Sequence, residues 1–197
     1  EIFYHNGWEK IVGFHTRNVP HKGHEFVQLN ALKKTNSDAI FIAPVVGQKK
    51  KGDFKAEIII KAYESLIKNN IYNKYGVLLS GLSTYSRYSG PREAVFTAIC
   101  HKNFGCSHFI VGRDHTGVGN YYAGNASKDI FDTIDFGMNI IKFDEVVYDN
   151  KKDIYVENNS KEKNANILKI SGSILREKIL QKDKIPDYLI DSSVETF

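Results

Sequence analysis

The chain has 197 residues, of which 42% are hydrophobic and 12% aromatic, and Lys plus Arg outnumber Asp plus Glu by 27 to 23. This length and apolar content suffice for one substantial core and predict a single domain over residues 1–197. The positive excess is small and the lysines are scattered, which argues against a nucleic-acid partner. No apolar run approaches the roughly 20 residues of a membrane span, so we expect no membrane partner.

The two cysteines, Cys100 and Cys106, lie in a stretch that reads as a helix and the turn after it. They lack the paired C-x-x-C spacing of a zinc or redox site. We interpret them as reduced thiols. Because thiols stay reduced in the cytosol, we predict a cytoplasmic protein.

Short apolar segments alternate with longer segments of helical period in the first 112 residues. The apolar segments are KIVGF, AIFIAPVV, GVLLSG and HFIVG, and the helical ones are GHEFVQLNALKK, AEIIIKAYESLIKNN and PREAVFTAICHKN. Strands without polar alternation indicate burial on both faces, and helices between them indicate parallel crossovers. The pattern predicts an α/β fold with a doubly wound, mostly parallel sheet and helices on both faces. Such sheets bind ligands at the carboxyl ends of their strands.

Four other segments carry expectations about organisation. Residues 1–10 contain no methionine and are interpreted as the remnant of a linker from an absent N-terminal domain. The polar region 149–163 predicts an excursion or a small hairpin. The basic run QKKKGDFK, residues 48–55, fits either a loop that closes over phosphates or a solvated surface loop. Residues 171–197 form the predicted C-terminal helical part.

The segment TRNVPHKGHEF, residues 16–26, crowds hydrogen-bond donors into the turn after KIVGF. Gly23 lets the backbone approach a ligand, and His24 would open the next helix, whose positive end favours an anion. His21 and His24 can then both donate to phosphate oxygens. Two surface histidines are the alternative. A zinc pair fits less well, because helical ligand pairs are usually four residues apart and no third ligand stands out, so we predict no metal ligand.

Two more strand ends carry polar residues. After HFIVG, the guanidinium of Arg113 is suited to bind a tetrahedral oxyanion through two hydrogen bonds, and Asp114 could hold a ribose hydroxyl or orient a base. The alternative is that Arg113 and Asp114 merely cap the loop and bind no ligand. After ILKI, Ser171 and Ser173 could cap the helix SILREKIL, with Arg176 one turn in and able to reach a phosphate. Capping alone also explains the serines.

Four blocks, TRN..H.GH, YSGPREA, NFGCSHFIVGRDH.GVG.YY and ISGS.LRE, occur in an order and spacing that resemble the ATP sulfurylase (sulfate adenylyltransferase) family. That family belongs to the nucleotidylyltransferase superfamily named for its H-x-G-H motif. The likeness runs from about Trp8 to Glu195. It implies a Rossmann-like catalytic domain that joins ATP and sulfate to give adenosine 5′-phosphosulfate and pyrophosphate, with Mg²⁺ accompanying the nucleotide. The family often assembles, so the resemblance also implies a homo-oligomer.

The resemblance further implies roles for individual residues. The catalytic group comprises Arg17, Asn18, His21 and His24. The sulfate group comprises His15, Arg17, Arg113 and the backbone N–H of Thr116. The nucleotide group comprises Asn18, His21, Gly23, His24, Gly112, Asp114, Ser171 and Arg176. Sulfate is already ionised and needs no base, so positioning and electrostatics would supply the catalysis.

The chain departs from the family pattern at several points. His15 stands where the family usually has glutamine; neutral His15 can donate one hydrogen bond, protonated His15 adds a charge, and a histidine satisfied by a backbone carbonyl is the alternative. Pro20 directly precedes His21, which changes the expected path of the loop. No cysteine-rich excursion occurs between Tyr148 and Ile170, so we predict no structural zinc.

Three functions are compatible with these residues. The first is an active sulfate adenylyltransferase. The second is an adenylyltransferase for another oxyanion acceptor, suggested by His15. The third is a catalytically silent module that binds nucleotide for regulation. A catalytically silent module is disfavoured because the chain retains Arg17, His21, His24 and Arg113. A module that only binds nucleotide could lose the arginines assigned to the acceptor without penalty.

Overall fold

The computed structural model describes residues 1–113, 115, 121–158 and 166–194. A short 3-10 turn covers Ile130–Asp132. The helices and strands in chain order are α1 (Ile2–His5), β1 (Ile11–Thr16), α2 (Lys22–Thr35), β2 (Ala39–Pro44), α3 (Ala56–Lys68), β3 (Gly76–Leu79), α4 (Pro91–Asn103), β4 (His108–Val111), α5 (Ala126–Asp129), β5 (Asn139–Lys142), β6 (Val146–Asp149), β7 (Ile154–Glu157), β8 (Ile167–Lys169) and α6 (Gly172–Gln181).

The main sheet has five strands in the order β3-β2-β1-β4-β5, and every neighbouring pair is parallel. Ile11 pairs with Ala39 on one side of β1, and Val12 pairs with His108 on the other. This order matches the first five strands of the Rossmann arrangement, in which the switch point lies between β1 and β4. The predicted α/β class with a parallel, doubly wound sheet is confirmed.

Helices cover both faces of this sheet, as predicted. On one face, Val12 of β1 and Ile42 of β2 share a buried cluster with Ala31 of α2 and Leu66 of α3. On the other face, residues of α4 pack against β4. Leu66 is fully buried, and burial of one such leucine contributes roughly 1.5–3 kcal/mol.

A second sheet was not predicted as such. Strands β7, β6 and β8 form an antiparallel sheet in that order. Its first two strands make a hairpin, which confirms the hairpin expected in the region 149–163 as far as residue 158; residues 159–165 lie outside the described part. Its strands are three or four residues long, too short to show a clear period in the sequence.

Residues at both ends of the chain pack against the core. In the segment 1–10, interpreted as the remnant of a linker, Phe3 and Trp8 pack against the sheet. A Cβ added to Gly76 would lie 2.2 Å from the Trp8 ring, so this contact needs a glycine there. Only α6 is helical in the described part of the C-terminal region. After it the chain runs irregularly to residue 194, yet Leu189 and Val194 are buried in the core.

The cysteines and the helices can also be compared with the composition. Cys100 and Cys106 are both free, as their spacing predicted. Among the described residues, no helix is both long enough and apolar enough to cross a membrane.

Candidate active site

A cavity of about 310 Å³ opens beside the carboxyl ends of β1 and β4, at the switch point of the main sheet. The loops after both strands and the first turns of α2 and α6 line it. It brings together ten of the twelve residues predicted for the site: His15, Arg17, Asn18, His21, Gly23, His24, Gly112, Arg113, Ser171 and Arg176. Asp114 and Thr116 lie outside the described residues.

His21 and His24 form a stacked pair at the beginning of α2. Their ring centroids are 3.8 Å apart, with an interplanar angle of 16°. Helix α2 begins at Lys22, so His21 is its N-cap and His24, predicted to open the helix, is the third helical residue. The Nδ1 atom of His21 accepts from the backbone N–H of His24 at 3.3 Å. Since Nδ1 of His21 is an acceptor, its proton lies on Nε2.

Gly23 is required by this stack. A Cβ added there would lie 3.1 Å from both Cε1 and Nδ1 of His21. The glycine therefore leaves room for the His21 ring, a reason beyond the backbone approach to a ligand that the sequence suggested.

Both imidazoles of the stack are neutral near pH 7. Burial lowers the pKa of His21 from 6.5 to about 4. Burial also holds the pKa of His24 well below its usual value, and the neighbouring His21 lowers it further. The His24 and Phe14 rings pack in a T-shaped arrangement, with 5.4 Å between centroids. Neutral imidazoles donate hydrogen bonds without adding positive charge, so these rings suit a phosphate chain that must later leave.

Arg17 and Arg176 share one carboxylate that the sequence did not predict for the site. Arg17 Nη1 donates to Asp53 Oδ2 at 3.2 Å, and Arg176 Nη1 donates to Asp53 Oδ1. The Asp53 side chain is 0% exposed. The run 48–55 was expected to be either a loop that closes over phosphates or a solvated surface loop, and in the structure its one acidic residue, Asp53, contacts two arginines of the site. A single acid within a basic run was the available signal.

Arg113 lies at the edge of the cavity with its side chain half exposed, and its Nη1 is 3.2 Å from Glu145 Oε2. Asp144, the other carboxylate of the cavity, pairs with Lys128. Each acid that lines the cavity thus already has a cationic partner. In the described part of the chain, no group of three or more His, Cys, Asp or Glu side chains could hold a metal ion. The described residues do not fit a metal held by the protein.

His15 lies between two other histidine rings. Its ring centroid is 6.1 Å from that of His101 and 6.0 Å from that of His115. Burial, followed by His115 and His101, lowers the pKa of His15 well below 6.5, so the protonated form considered from the sequence is not the state at neutral pH. Within the described residues its buried Nδ1 has no hydrogen-bond partner, so no backbone carbonyl satisfies that atom.

Thr97 fixes the two histidines that flank His15. His101 Nδ1 donates to the Thr97 carbonyl at 2.8 Å. The Thr97 hydroxyl lies 3.0 Å from the carbonyl oxygens of Glu93 and Ala94 and donates its hydrogen to them, because a carbonyl can only accept. The hydroxyl oxygen therefore accepts from His115 Nε2, which lies 3.3 Å away. Burial lowers the pKa of both His101 and His115 to about 4.

The first turn of α6 closes the remaining side of the cavity. Ser171 is the N-cap of α6 and accepts from the Ile174 N–H at 3.2 Å, which bears out the capping interpretation. A Cβ on Gly172 would lie 3.0 Å from Asn18 Cγ, so α6 approaches the β1 loop closely. The buried Oδ1 of Asn18 has no hydrogen-bond partner in the described structure.

Fold and cavity together define an α/β protein that gathers hydrogen-bond donors for anions at the switch point of a parallel sheet. The ATP-sulfurylase family model matches residues 1–196, and the chain belongs to that family, as the resemblance predicted. It is 46% identical over 195 residues to a sulfate adenylyltransferase of Ignicoccus hospitalis, covering 98% of this chain and 50% of that protein. It is 45% identical over 195 residues to a sulfate adenylyltransferase of Pyrococcus abyssi, covering 98% of this chain and 51% of that protein.

A solved structure of a hexameric APS kinase from Thiobacillus denitrificans shows the same fold. It superposes with a TM-score of 0.70 at 20% identity, covering 98% of this chain and 36% of that one. The chain spans about half the length of the curated relatives it matches.

Proposed function

We propose that this chain carries the catalytic site of a sulfate adenylyltransferase, which transfers the adenylyl group of ATP to sulfate. The observation that carries the proposal is the meeting, in one cavity, of a neutral His21–His24 stack with Arg17 and Arg113. The stack suits a polyphosphate and the arginines suit a tetrahedral oxyanion. Family membership and the names of the relatives support the same reaction.

In the proposed reaction, a sulfate oxygen attacks the α-phosphorus of ATP in line. The bond between that phosphorus and the oxygen bridging to the β-phosphorus breaks, and its electron pair leaves with pyrophosphate. Arg17 and Arg113 would hold sulfate, and Asn18 would brace the α-phosphate. The Nε2–H of His21 would donate to the departing phosphates, whose charge grows in the transition state. Donors that are already fixed in position need not reorganise as the charge develops.

Mg²⁺ belongs to this proposal only as part of the Mg-ATP substrate. The carboxylates of the cavity are paired with cations, as described above, so no step is assigned to a metal held by the chain. Gly112, Asp114 and Thr116 keep the roles that the resemblance implies, as part of the proposal. Assembly into a homo-oligomer is a further proposal, which size-exclusion chromatography with light scattering would test. A cytoplasmic location is also proposed.

The test is pyrophosphate release from Mg-ATP with and without sulfate, in the natural full-length protein. Arg113→Ala should abolish sulfate-dependent release while leaving ATP affinity unchanged within about twofold, because Arg113 is assigned to the acceptor. Lys142→Ala is the matched control, since Lys142 pairs with the exposed Asp132 away from the cavity. A folded protein that binds ATP but releases no pyrophosphate would refute the enzyme and favour the regulatory module.

One observation favours the alternative function, transfer of the adenylyl group to an oxyanion other than sulfate. The neutral His15 ring, whose Nδ1 has no partner within the described residues, stands where the family usually has glutamine. A neutral imidazole can donate to a fully ionised oxyanion or accept from a protonated one. Release with molybdate and phosphate, compared between the natural chain and His15→Gln, tests whether His15 changes the ranking of acceptors. An identical ranking in both proteins would remove His15 from acceptor choice.

A further inference from the structure

Tyr88 touches both members of the Arg17–Asp53 pair without lining the cavity. The Arg17 guanidinium carbon lies 4.8 Å from the centroid of the Tyr88 ring, within cation–π distance. The Tyr88 hydroxyl donates to Asp53 Oδ2 at 2.9 Å and accepts from the backbone N–H of Lys50 at 2.7 Å. The hydroxyl thus acts as both donor and acceptor, and each partner lies in the loop 48–55.

The backbone at Tyr88 is strained. Its φ of 55° lies in the left-handed region, which disfavours a residue with a bulky side chain. Such conformations persist where surrounding contacts over-determine them, and they cluster at functional sites.

Glu93 supplies the contacts that hold this conformation. Its carboxylate, in the first turn of α4, accepts from the N–H of Arg87 at 2.9 Å and from the N–H of Ser89 at 3.1 Å. The backbone is therefore held on both sides of Tyr88. Glu93 is 2% exposed, so water competes little for these bonds.

We propose that Tyr88 is a positioning residue that locks Arg17 and the loop 48–55 into one unit for the acceptor anion. The ring contacts the Arg17 guanidinium, and the hydroxyl donates to Asp53, which in turn accepts from Arg17. A second contact joins the loop to the segment that carries Tyr88, since Ser86 N donates to the Gln48 carbonyl at 3.1 Å. The inference rests on the proposed function, because it assigns Arg17 to the acceptor.

Partial burial raises the pKa of Tyr88, which keeps the hydroxyl protonated and able to donate to Asp53. The resulting network gives the Asp53 carboxylate three donors, from Arg17, Arg176 and Tyr88. Loss of the tyrosine hydroxyl would leave both arginine contacts to Asp53 in place. Tyr88→Phe therefore isolates the hydroxyl, and Tyr88→Leu also removes the aromatic face under Arg17.

Two measurements on the natural full-length protein test the proposal. In Tyr88→Phe, the Lys50 amide loses its acceptor and should exchange with deuterium at least about tenfold faster. The KM for sulfate should rise about tenfold while the KM for ATP changes less than about twofold. Tyr88→Leu should raise the sulfate KM about a further threefold, through loss of the cation–π contact. Tyr85→Phe is the matched control, because Tyr85 is exposed and stacks on Arg87 outside the cavity.

The outcomes distinguish a failure of the role proposed for Tyr88 from a failure of the proposed enzyme function. Unchanged exchange at Lys50 in Tyr88→Phe would overturn the lock itself. Faster exchange at Lys50 with an unchanged sulfate KM would show that Tyr88 does not position Arg17 for the acceptor anion. A natural protein without sulfate-dependent pyrophosphate release would refute the proposed function, and with it the acceptor role, while the exchange rate of Lys50 would still decide whether the lock exists. A melting temperature close to that of Tyr85→Phe shows that the variants are folded.

Discussion

Replacement of Asp53 by asparagine tests the charge balance of the cavity. The substitution keeps the size of the side chain and removes its negative charge. Arg17 and Arg176 both donate to this carboxylate, and their side chains are only 14% and 19% exposed. The asparagine oxygen can still accept from one guanidinium, but its NH₂ group would face the donors of the other. Two partly buried cations would then lie together without this counter-ion.

The magnitude follows from the burial of the three groups. Removal of one partner from a buried ion pair costs about 3–5 kcal/mol, because the remaining charge is left desolvated and uncompensated. For a chain of this size, that loss corresponds to a fall in melting temperature of roughly 6–20 °C. An exposed pair behaves differently: Asp132, whose side chain is 70% exposed, pairs with Lys142, and Asp132→Asn should cost less than about 1 kcal/mol.

The assay is thermal unfolding of the natural protein, Asp53→Asn and Asp132→Asn, each with and without sulfate. Sulfate should raise the melting temperature of Asp53→Asn more than that of the natural protein, because the anion restores the missing negative charge beside the arginines. A ligand at 100 times its Kd stabilises by about 2.7 kcal/mol, so the gain is measurable. If Asp53→Asn melts no lower than Asp132→Asn, the assignment of Asp53 as a shared counter-ion is wrong.

Three smaller changes test other parts of the site. Gly23→Ala should displace the His21 ring and lower kcat at least about tenfold, measured by pyrophosphate release. Burial lowers the pKa of His101 from 6.5 to about 4, so this group does not reduce stability above its unfolded pKa, and it costs up to roughly 3 kcal/mol as the pH falls through that window. His101→Asn should reduce the slope of the urea-unfolding free energy against pH in this range by up to about 1.4 kcal/mol per pH unit, while the other buried histidines still contribute, and an unchanged slope would contradict the assignment. Ser171→Ala should cost about 1 kcal/mol in the same urea assay, and Ser173→Ala should cost less, because Ser171 is the N-cap.

The parallel sheet and most of the cavity were predictable from the sequence for one reason. Polar residues after buried parallel strands must meet at a common edge, whatever the details of the loops. Arg17, which follows β1, and Arg113, which follows β4, therefore came together as expected. The period of the hydrophobic pattern and the positions of the strand ends are enough to predict this meeting.

The missed residues depend on contacts between distant segments. Asp53 lies 36 positions from Arg17 and 123 from Arg176. Its place as the single acid of the basic run 48–55 marks it as unusual but does not indicate which arginines it contacts. The left-handed backbone of Tyr88 is equally invisible, because tyrosine has no preference for that conformation. An acid in the first turn of a helix, such as Glu93 in α4, fits a complement to the helix dipole, so the sequence does not indicate that its carboxylate holds the backbone around Tyr88.

The balance of charge in the cavity bears on turnover. Arg17 and Arg176 are countered by Asp53, Arg113 by Glu145, and the imidazoles around them are neutral because burial lowers their pKa values. A cavity with uncompensated cations would bind sulfate, ATP and pyrophosphate alike, and uniform binding does not accelerate the chemical step. In the proposed reaction, charge grows on the departing pyrophosphate, and the neutral His21 ring would donate to it from a fixed position. The paired arginines would then fix the position of the acceptor, while the stacked imidazoles would favour the transition state over the bound substrates.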